Sequence, residues 1–199
     1  MGAGFVKQLT AAGHQVSVTA RDFAKAQALA LQHGATAVAL DGAANNVAAV
    51  VVATPYEQAA AALRSVGDLA GKTVIDITNP LTPDYMGLTL GHSTSAGEEI
   101  ARAVPGAEVV KAFNTVFAQV LAEGADFGAG QKVTVFLASD SEPAKQTARA
   151  LAESMGFNTQ DAGGLKNARY LEPLAGLNIY FGYGAGLGTA IAPTWIRKS

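Results

Sequence analysis

Thr19, Arg21 and Lys25 carry the strongest chemical signal in the chain, in the run Val18-Thr-Ala-Arg-Asp-Phe-Ala-Lys25. A guanidinium with an ammonium about one helical turn further on makes a receptor for a phosphomonoester, and a threonine hydroxyl adds a neutral donor. The polar–apolar alternation of Gln15–Thr19 predicts a strand ending at these residues, and Asp22 is placed to cap a helix running to about Gln32, closed by His33-Gly34. No Asp or Glu stands at the strand tip, where a dinucleotide-binding sheet would hold a ribose 2′-hydroxyl. An arginine there suits the 2′-phosphate of NADP instead. The competing reading is a pair of solvated charges at a helix start, and only the surrounding fold separates the two.

A dinucleotide site also needs a glycine-rich turn between the first strand and first helix. The chain opens inside that fingerprint. Gly2 leads directly into a helical stretch to Ala12, with Phe5, Val6, Leu9 and Ala12 on one face, and so takes the place of the third glycine. Gly2-Ala3-Gly4 fits the first two glycines poorly, because no strand precedes it and Lys7 occupies the third place. The first strand and first two glycines are thus expected to be missing, which would strip hydrogen bonds from both neighbouring strands and remove pyrophosphate-binding amides.

Further along, apolar strands alternate with alanine-rich helical segments. Strands are predicted at Thr36–Leu40, Val47–Ala53, Thr73–Ile77, Glu108–Ala112, Lys132–Ala138 and Asn158–Asp161. Helices are predicted at Tyr56–Ser65, opened by Pro55, at Ser95–Val104, and from an Asp140 or Ser141 cap to Met155. Six or more such units with near-continuous apolar strands indicate an α/β, Rossmann-type, doubly wound and mostly parallel sheet, covered on both faces. Ala168–Tyr183 reads as one long helix, followed by a glycine-rich turn and a strand or extended tail at Ala190–Ile196. The expected division is a nucleotide-binding domain at 1–165 and a small helical extension at 166–199. Pro83–Thr94 reads as the longest loop. Tyr170, Leu174, Leu177 and Phe181 form an apolar stripe expected to be core or a dimer interface. Gly182–Gly188 resembles a phosphate loop in composition but follows a helix, so a turn or a close helix approach is the better reading.

Composition bounds the function. Of 199 residues, 49% are hydrophobic and 15% charged, which excludes extensive disorder and suggests that part of the surface is covered by a second subunit or a ligand. The net charge of −2 argues against electrostatic nucleic-acid binding. No apolar run has the length of a membrane helix and no signal peptide is recognisable, which points to a cytoplasmic protein. The chain has no cysteine, and its three histidines are scattered without ligand spacing, so no metal site is expected.

Five segments occur in an order that carries a family resemblance: His14–Arg21 (HQVSVTAR), Ala53–Tyr56 (ATPY), Val74–Leu81 (VIDITNPL), Val109–Thr115 (VVKAFNT) and Asp161–Arg169 (DAGGLKNAR). Together they resemble the NADP oxidoreductase family that includes coenzyme F420-dependent NADP reductase. The resemblance implies a Rossmann domain, NADP(H), a small-molecule redox partner, and hydride transfer to or from a flavin-like or deazaflavin molecule such as F420. It puts Thr19, Arg21 and Lys25 at the 2′-phosphate, and Thr54, Pro55 and Tyr56 beside the cofactor. Asn79, Pro80, Ala112, Phe113 and Asn114 would line the nicotinamide end. The deazaflavin enzymes commonly carry Trp and His where this chain has Tyr56 and Asn114.

Hydride transfer demands little acid–base chemistry from side chains, so no catalytic acid or base is assigned. Asn114 could hold the nicotinamide carboxamide or an acceptor carbonyl, or only tie down its loop; Thr78-Asn79-Pro80 could equally be a strand-ending turn. Asp76, within its strand, is expected to make a structural hydrogen bond. A homodimeric reductase is the leading expectation. A quinone or imine reductase, a non-catalytic NADPH sensor and a fragment from a mistaken start are its rivals.

Overall fold

The computed structural model describes residues 1–196 and 198. In chain order the elements are α1 (Gly2–Ala11), β1 (Ser17–Val18), α2 (Phe23–His33), β2 (Thr36–Ala37), β3 (Ala49–Val52), α3 (Tyr56–Arg64) and β4 (Thr73–Asp76). There follow α4 (Ala96–Ala103), β5 (Glu108–Lys111), α5 (Ala118–Glu123), β6 (Thr134–Leu137), α6 (Glu142–Ser154), β7 (Asn158–Asp161) and α7 (Ala168–Ile179). Local chemistry explains the boundaries. Asp22 accepts from the Lys25 amide to start α2, and Gly34 ends it in the left-handed region at φ 71°. Ser95 and Ser141 cap α4 and α6 in the same way. Pro55 is the residue before α3 rather than its first, since its ψ of 150° is extended.

Every strand ladder is parallel, as the apolar pattern predicts: β1 with β2, β3 with β4 and β5, and β6 with β7. A single antiparallel bridge between Lys111 and Ala138 joins β5 to the β6–β7 ladder. The β1–β2 ladder forms its own two-stranded sheet, not hydrogen-bonded to β3. Both of its strands are shorter than the sequence predicts, with two residues each.

The alternation along the strands sorts side chains into two apolar layers. Ile75, Val110 and Val135 pack with Phe5 and Leu9 of α1 and Ala144 and Ala148 of α6. Val52, Val74 and Val109 face the other way, against Ala59 and Leu63 of α3 and Ile100 of α4. The fold is therefore an α/β Rossmann-type sandwich with a C-terminal helix, as the near-continuous apolar strands require.

Beyond α7, Tyr180–Gly184 continue as one π-helical turn, so the long helix predicted to Tyr183 is realised with a change of pitch. Of the stripe, Tyr170, Leu177 and Phe181 lie on the exposed face of this helix, Leu174 is partly buried against Phe136 and Leu171, and the fully buried face is that of Leu171, Ala175 and Asn178. Residues 190–196 form no strand. The glycine-rich turn is a close approach: a Cβ on Gly182 would lie 2.7 Å from Phe117 Cζ. Helix α5, two turns with no periodicity long enough to read, was missed by the sequence pattern. Gly182→Ala should therefore destabilise the protein by about 1–3 kcal/mol through overpacking. Urea titration checks it, and Phe117→Leu in the same chain should recover most of the loss.

Candidate functional site

In an open α/β sheet, ligands bind past the carboxyl ends of the strands. A hollow of about 500 Å³ is lined by Thr134, Asn158 and Arg149 at the amino ends of β6 and β7, the wrong end for that role. A smaller one, about 200 Å³, lies past the carboxyl ends of β4 and β5 and is lined by Ile77, Asn79, Phe113, Asn114, Thr115, Phe117 and α7 residues Ala175, Asn178 and Ile179. Tyr85 and Tyr183, both largely exposed, also line it. Size alone would select the wrong hollow; strand direction selects the second.

The geometry of this pocket starts at Phe113, which sits in the left-handed region at φ 58°. Such a conformation costs a bulky residue about 1–3 kcal/mol and needs surrounding contacts to hold it. Here the buried ring is locked edge-on between Phe5, at 4.9 Å, and Phe157, at 5.8 Å. The reversal brings Asn114 against Asn79. Asn79 Nδ2 donates to the Asn114 carbonyl at 2.8 Å, and Asn114 Nδ2 donates to Asn79 Oδ1 at 3.0 Å and to the Leu171 carbonyl at 2.9 Å. With both amide hydrogens of Asn114 spent on acceptors, its orientation is determined, and its buried Oδ1 is left without a partner.

That orphaned acceptor has company. Thr19 Oγ1 past β1, Thr54 Oγ1 past β3, Thr78 Oγ1 past β4 and Thr115 Oγ1 past β5 are all sequestered from water without a hydrogen-bond partner. Unsatisfied buried polar atoms are uncommon in a folded protein and each needs a reason. Thr78 belongs to the Thr78-Asn79-Pro80 segment anticipated at the end of its strand, whereas Thr115 carries no separate signal in the sequence.

The other anticipated residues fall as follows. Arg21 is exposed, and its Nη2 donates to Gln58 Oε1 of α3 at 2.8 Å, spanning the ends of β1 and β3. Lys25 turns back to Asp22 at 3.5 Å and is 84% exposed. Gly2 lies against Ala53, where an added Cβ would make an ordinary 3.6 Å contact, so packing does not demand glycine. Pro55 is exposed, Pro80 is buried, and the Ala112 methyl belongs to the core and not to the pocket wall. Tyr56 is half-buried; burial first, then the Glu99 and Glu172 carboxylates, push its phenol above the ordinary value, so it is neutral at physiological pH.

Comparison with known proteins decides the family. The family described as NADP oxidoreductase coenzyme F420-dependent matches residues 1–80. The F420-dependent NADP reductase of Methanothermobacter marburgensis is 31% identical over 195 residues, covering 89% of this chain and 86% of that protein. The chain belongs to the coenzyme F420-dependent NADP oxidoreductase family. Members of this family are NADP-dependent oxidoreductases, and the solved structures agree on the fold. A proposed F420-dependent NADP-reductase from Arthrobacter sp. FB24 superposes with a TM-score of 0.84 at 28% identity, covering 98% of this chain and 94% of the other. An imine reductase from Pseudomonas sp. shares the fold at a TM-score of 0.63 and 20% identity. Metalloreductase STEAP3 of Rattus norvegicus is 34% identical over 126 residues, and the chain spans 24% of that protein's length. In the described residues of this family member no helix is long and apolar enough to cross a membrane, and no cluster of side chains could hold a metal.

The family member's pocket rests on a buried ion cluster. Asp76 and Lys111 are register partners in β4 and β5, and Lys111 Nζ lies 2.6 Å from Asp76 Oδ2 and 2.8 Å from Glu172 Oε1 of α7. Lys111 also donates to the Thr78 carbonyl at 2.8 Å, and Glu172 accepts from the Ala96 and Gly97 amides at the start of α4. Asp76 accepts from the Thr78 amide, the structural bond its position suggested. Burial alone would push the Lys111 ammonium down, but the Asp76 and Glu172 carboxylates outweigh it and hold its pKa above the ordinary lysine value. The sequence carried a faint signal for the pair: one acid in VIDI and one base in VVKA, each third in its apolar run.

Lys111→Met strands two carboxylates in the interior and should cost about 3–5 kcal/mol in chemical denaturation. Glu98, hydrogen-bonded first by Arg169 and then by Ser95, is held below the ordinary carboxylate range. Its stabilisation is complete above its unfolded pKa and is lost as pH falls through the lower folded value. Glu98→Gln should flatten that part of the acid-unfolding profile.

Proposed function

We propose that this chain moves a hydride between NADP(H) and a planar redox partner of flavin or deazaflavin type, with F420 as the specific candidate. The observation that carries the reading is the pocket past the carboxyl ends of β4 and β5, with the Arg21 guanidinium, unpaired to any carboxylate among the described residues, past β1 at the same end of the strands. A dinucleotide is the ligand of matching shape, long and polar with an aromatic ring at its end.

On this reading Arg21, which no carboxylate neutralises among the described residues, meets the 2′-phosphate with the Thr19 hydroxyl beside it. Lys25, paired with Asp22, adds only a screened long-range attraction. The first-turn amides of α1, starting with Gly2 against Ala53, offer the positive helix end to the pyrophosphate. Thr54, Pro55 and Tyr56 cover the middle of the cofactor, with Tyr56 a neutral donor. Asn114 would stand beside the nicotinamide carboxamide, its own side-chain amide held in one orientation by Asn79 and the Leu171 carbonyl. Pro80 and Ala112 shape the backbone on either side without touching the ring.

When bound, the dihydronicotinamide supplies the hydride. The pocket walls of Ile77, Phe117 and Ile179 keep water away and set the distance between the two rings. None of the pocket side chains is a carboxylate, an imidazole or a lysine. A flavin or deazaflavin ring takes up the hydride together with one proton, which solvent can supply, so the site needs no dedicated acid or base.

Steady-state oxidation of NADPH with F420, FMN and quinones in turn tests the reading. F420 should give the highest turnover, whereas tight NADPH binding with no turnover on any acceptor would favour a sensor. Arg21→Ala should weaken NADPH by about tenfold to a hundredfold, the worth of one charge-assisted phosphate contact, and leave NADH nearly unchanged.

A further inference from the structure

Gln58 is tied to the reading of Arg21 by a contact that the sequence did not suggest. Arg21 follows β1 and immediately precedes Asp22, the carboxylate that would ordinarily neutralise it. That carboxylate is engaged elsewhere: Oδ1 accepts from the Lys25 amide at 3.3 Å, and Oδ2 faces Lys25 Nζ at 3.5 Å. Among the described residues no carboxylate lies within ion-pair distance of Arg21. Its guanidinium is held instead by a neutral group, through Nη2 to Gln58 Oε1 at 2.8 Å. Gln58 stands in the first turn of α3, its own amide donating to the Pro55 carbonyl at 3.0 Å. It is therefore anchored to the same Thr54–Pro55 segment that follows β3.

We infer that Gln58 is a positioning residue for cofactor specificity, aiming the Arg21 guanidinium at an adenosine-side phosphomonoester without cancelling its charge. The inference rests on the proposed NADP(H) site. A guanidinium has five N–H donors in a rigid fork, and the amide oxygen occupies one nitrogen only. The remaining donors keep full positive charge for a phosphate carrying nearly two negative charges. The Gln58 side-chain Nε2, which makes no hydrogen bond among the described residues, adds a neutral donor on the same side. A carboxylate at this position would do the reverse. It would hold Arg21 more tightly, compete with the phosphate for the fork, and repel the phosphate by like charge.

A merely structural tie between the β1–α2 segment and α3 makes the opposite prediction for one substitution. Gln58→Glu replaces a neutral hydrogen bond by an ion pair, so a structural role leaves stability equal or higher and cofactor preference unchanged. The specificity role also leaves the thermal midpoint undiminished, but raises the NADPH dissociation constant by about tenfold or more while the NADH constant moves by less than about twofold. Gln58→Ala, which frees the fork without opposing the phosphate, should weaken NADPH by only about threefold. In an Arg21→Ala background Gln58→Glu should lose most of its effect, because the group it competes for is gone.

Fluorescence titration of both cofactors on the full chain, with a thermal melt of each variant, reads all of this. If the wild-type protein prefers NADPH and Gln58→Glu leaves the preference intact, the inference is overturned and the NADP(H) reading stands. If the wild-type protein binds both cofactors equally, the reading and the inference fall together.

Discussion

The buried contact between Lys111 and the two carboxylates of Asp76 and Glu172 is the constraint around which the functional end of the sheet is arranged. One ammonium ties together two strands and, through Glu172, helices α4 and α7. The cluster carries one excess negative charge, and the amides of Ala96 and Gly97 at the positive end of α4 offset it. A buried set of this kind holds geometry more than it adds stability, since desolvation consumes most of the Coulombic gain. What it holds is α7, whose Ala175, Asn178 and Ile179 form a wall of the pocket.

Two neighbouring residues of α7 show how that geometry is transmitted. The Glu172 carboxylate binds Lys111 at the end of β5, and the Leu171 carbonyl accepts from Asn114 three residues further along the same strand exit. Helix and strand are thus stitched at two adjacent points. Between them the chain passes through Phe113 in a left-handed conformation that only its buried, ring-locked side chain can maintain. The strain and the ion cluster serve one result, an Asn114 amide fixed in one orientation at the pocket wall.

Much of the fold was legible because the signals are local. Alternating apolar residues in strands, the Asp22, Ser95 and Ser141 caps, and the left-handed Gly34 each depend on a few neighbours in sequence. Asn79 and Asn114 were also legible as a pair of strand-end polar residues, although their direct bond was not. The illegible parts are those that depend on register or on long-range packing. Glu172 looks like any helix-surface acid until α7 is laid over α4. Gln58 looks like a solvated glutamine until the start of α3 meets the end of β1. The apolar stripe of Tyr170, Leu177 and Phe181 has the right helical spacing, yet spacing cannot say which face of a helix turns inward.

The residues alone therefore determined the parallel α/β class, the alternating order of its strands and principal helices, and the presence of an arginine after β1 with no acid at the strand tip. Short-range chemistry suffices for each, because hydrophobic period, capping and turn formation act over one or two turns of chain. Only tertiary structure decided that Asn79, Asn114 and Thr115 come together with α7 around the pocket past β4 and β5. It also decided that Asp76 neutralises Lys111 while Asp22 leaves Arg21 charged. Those outcomes turn on distances of a few ångströms between residues tens of positions apart, over which electrostatic and hydrogen-bond energies change sign or vanish.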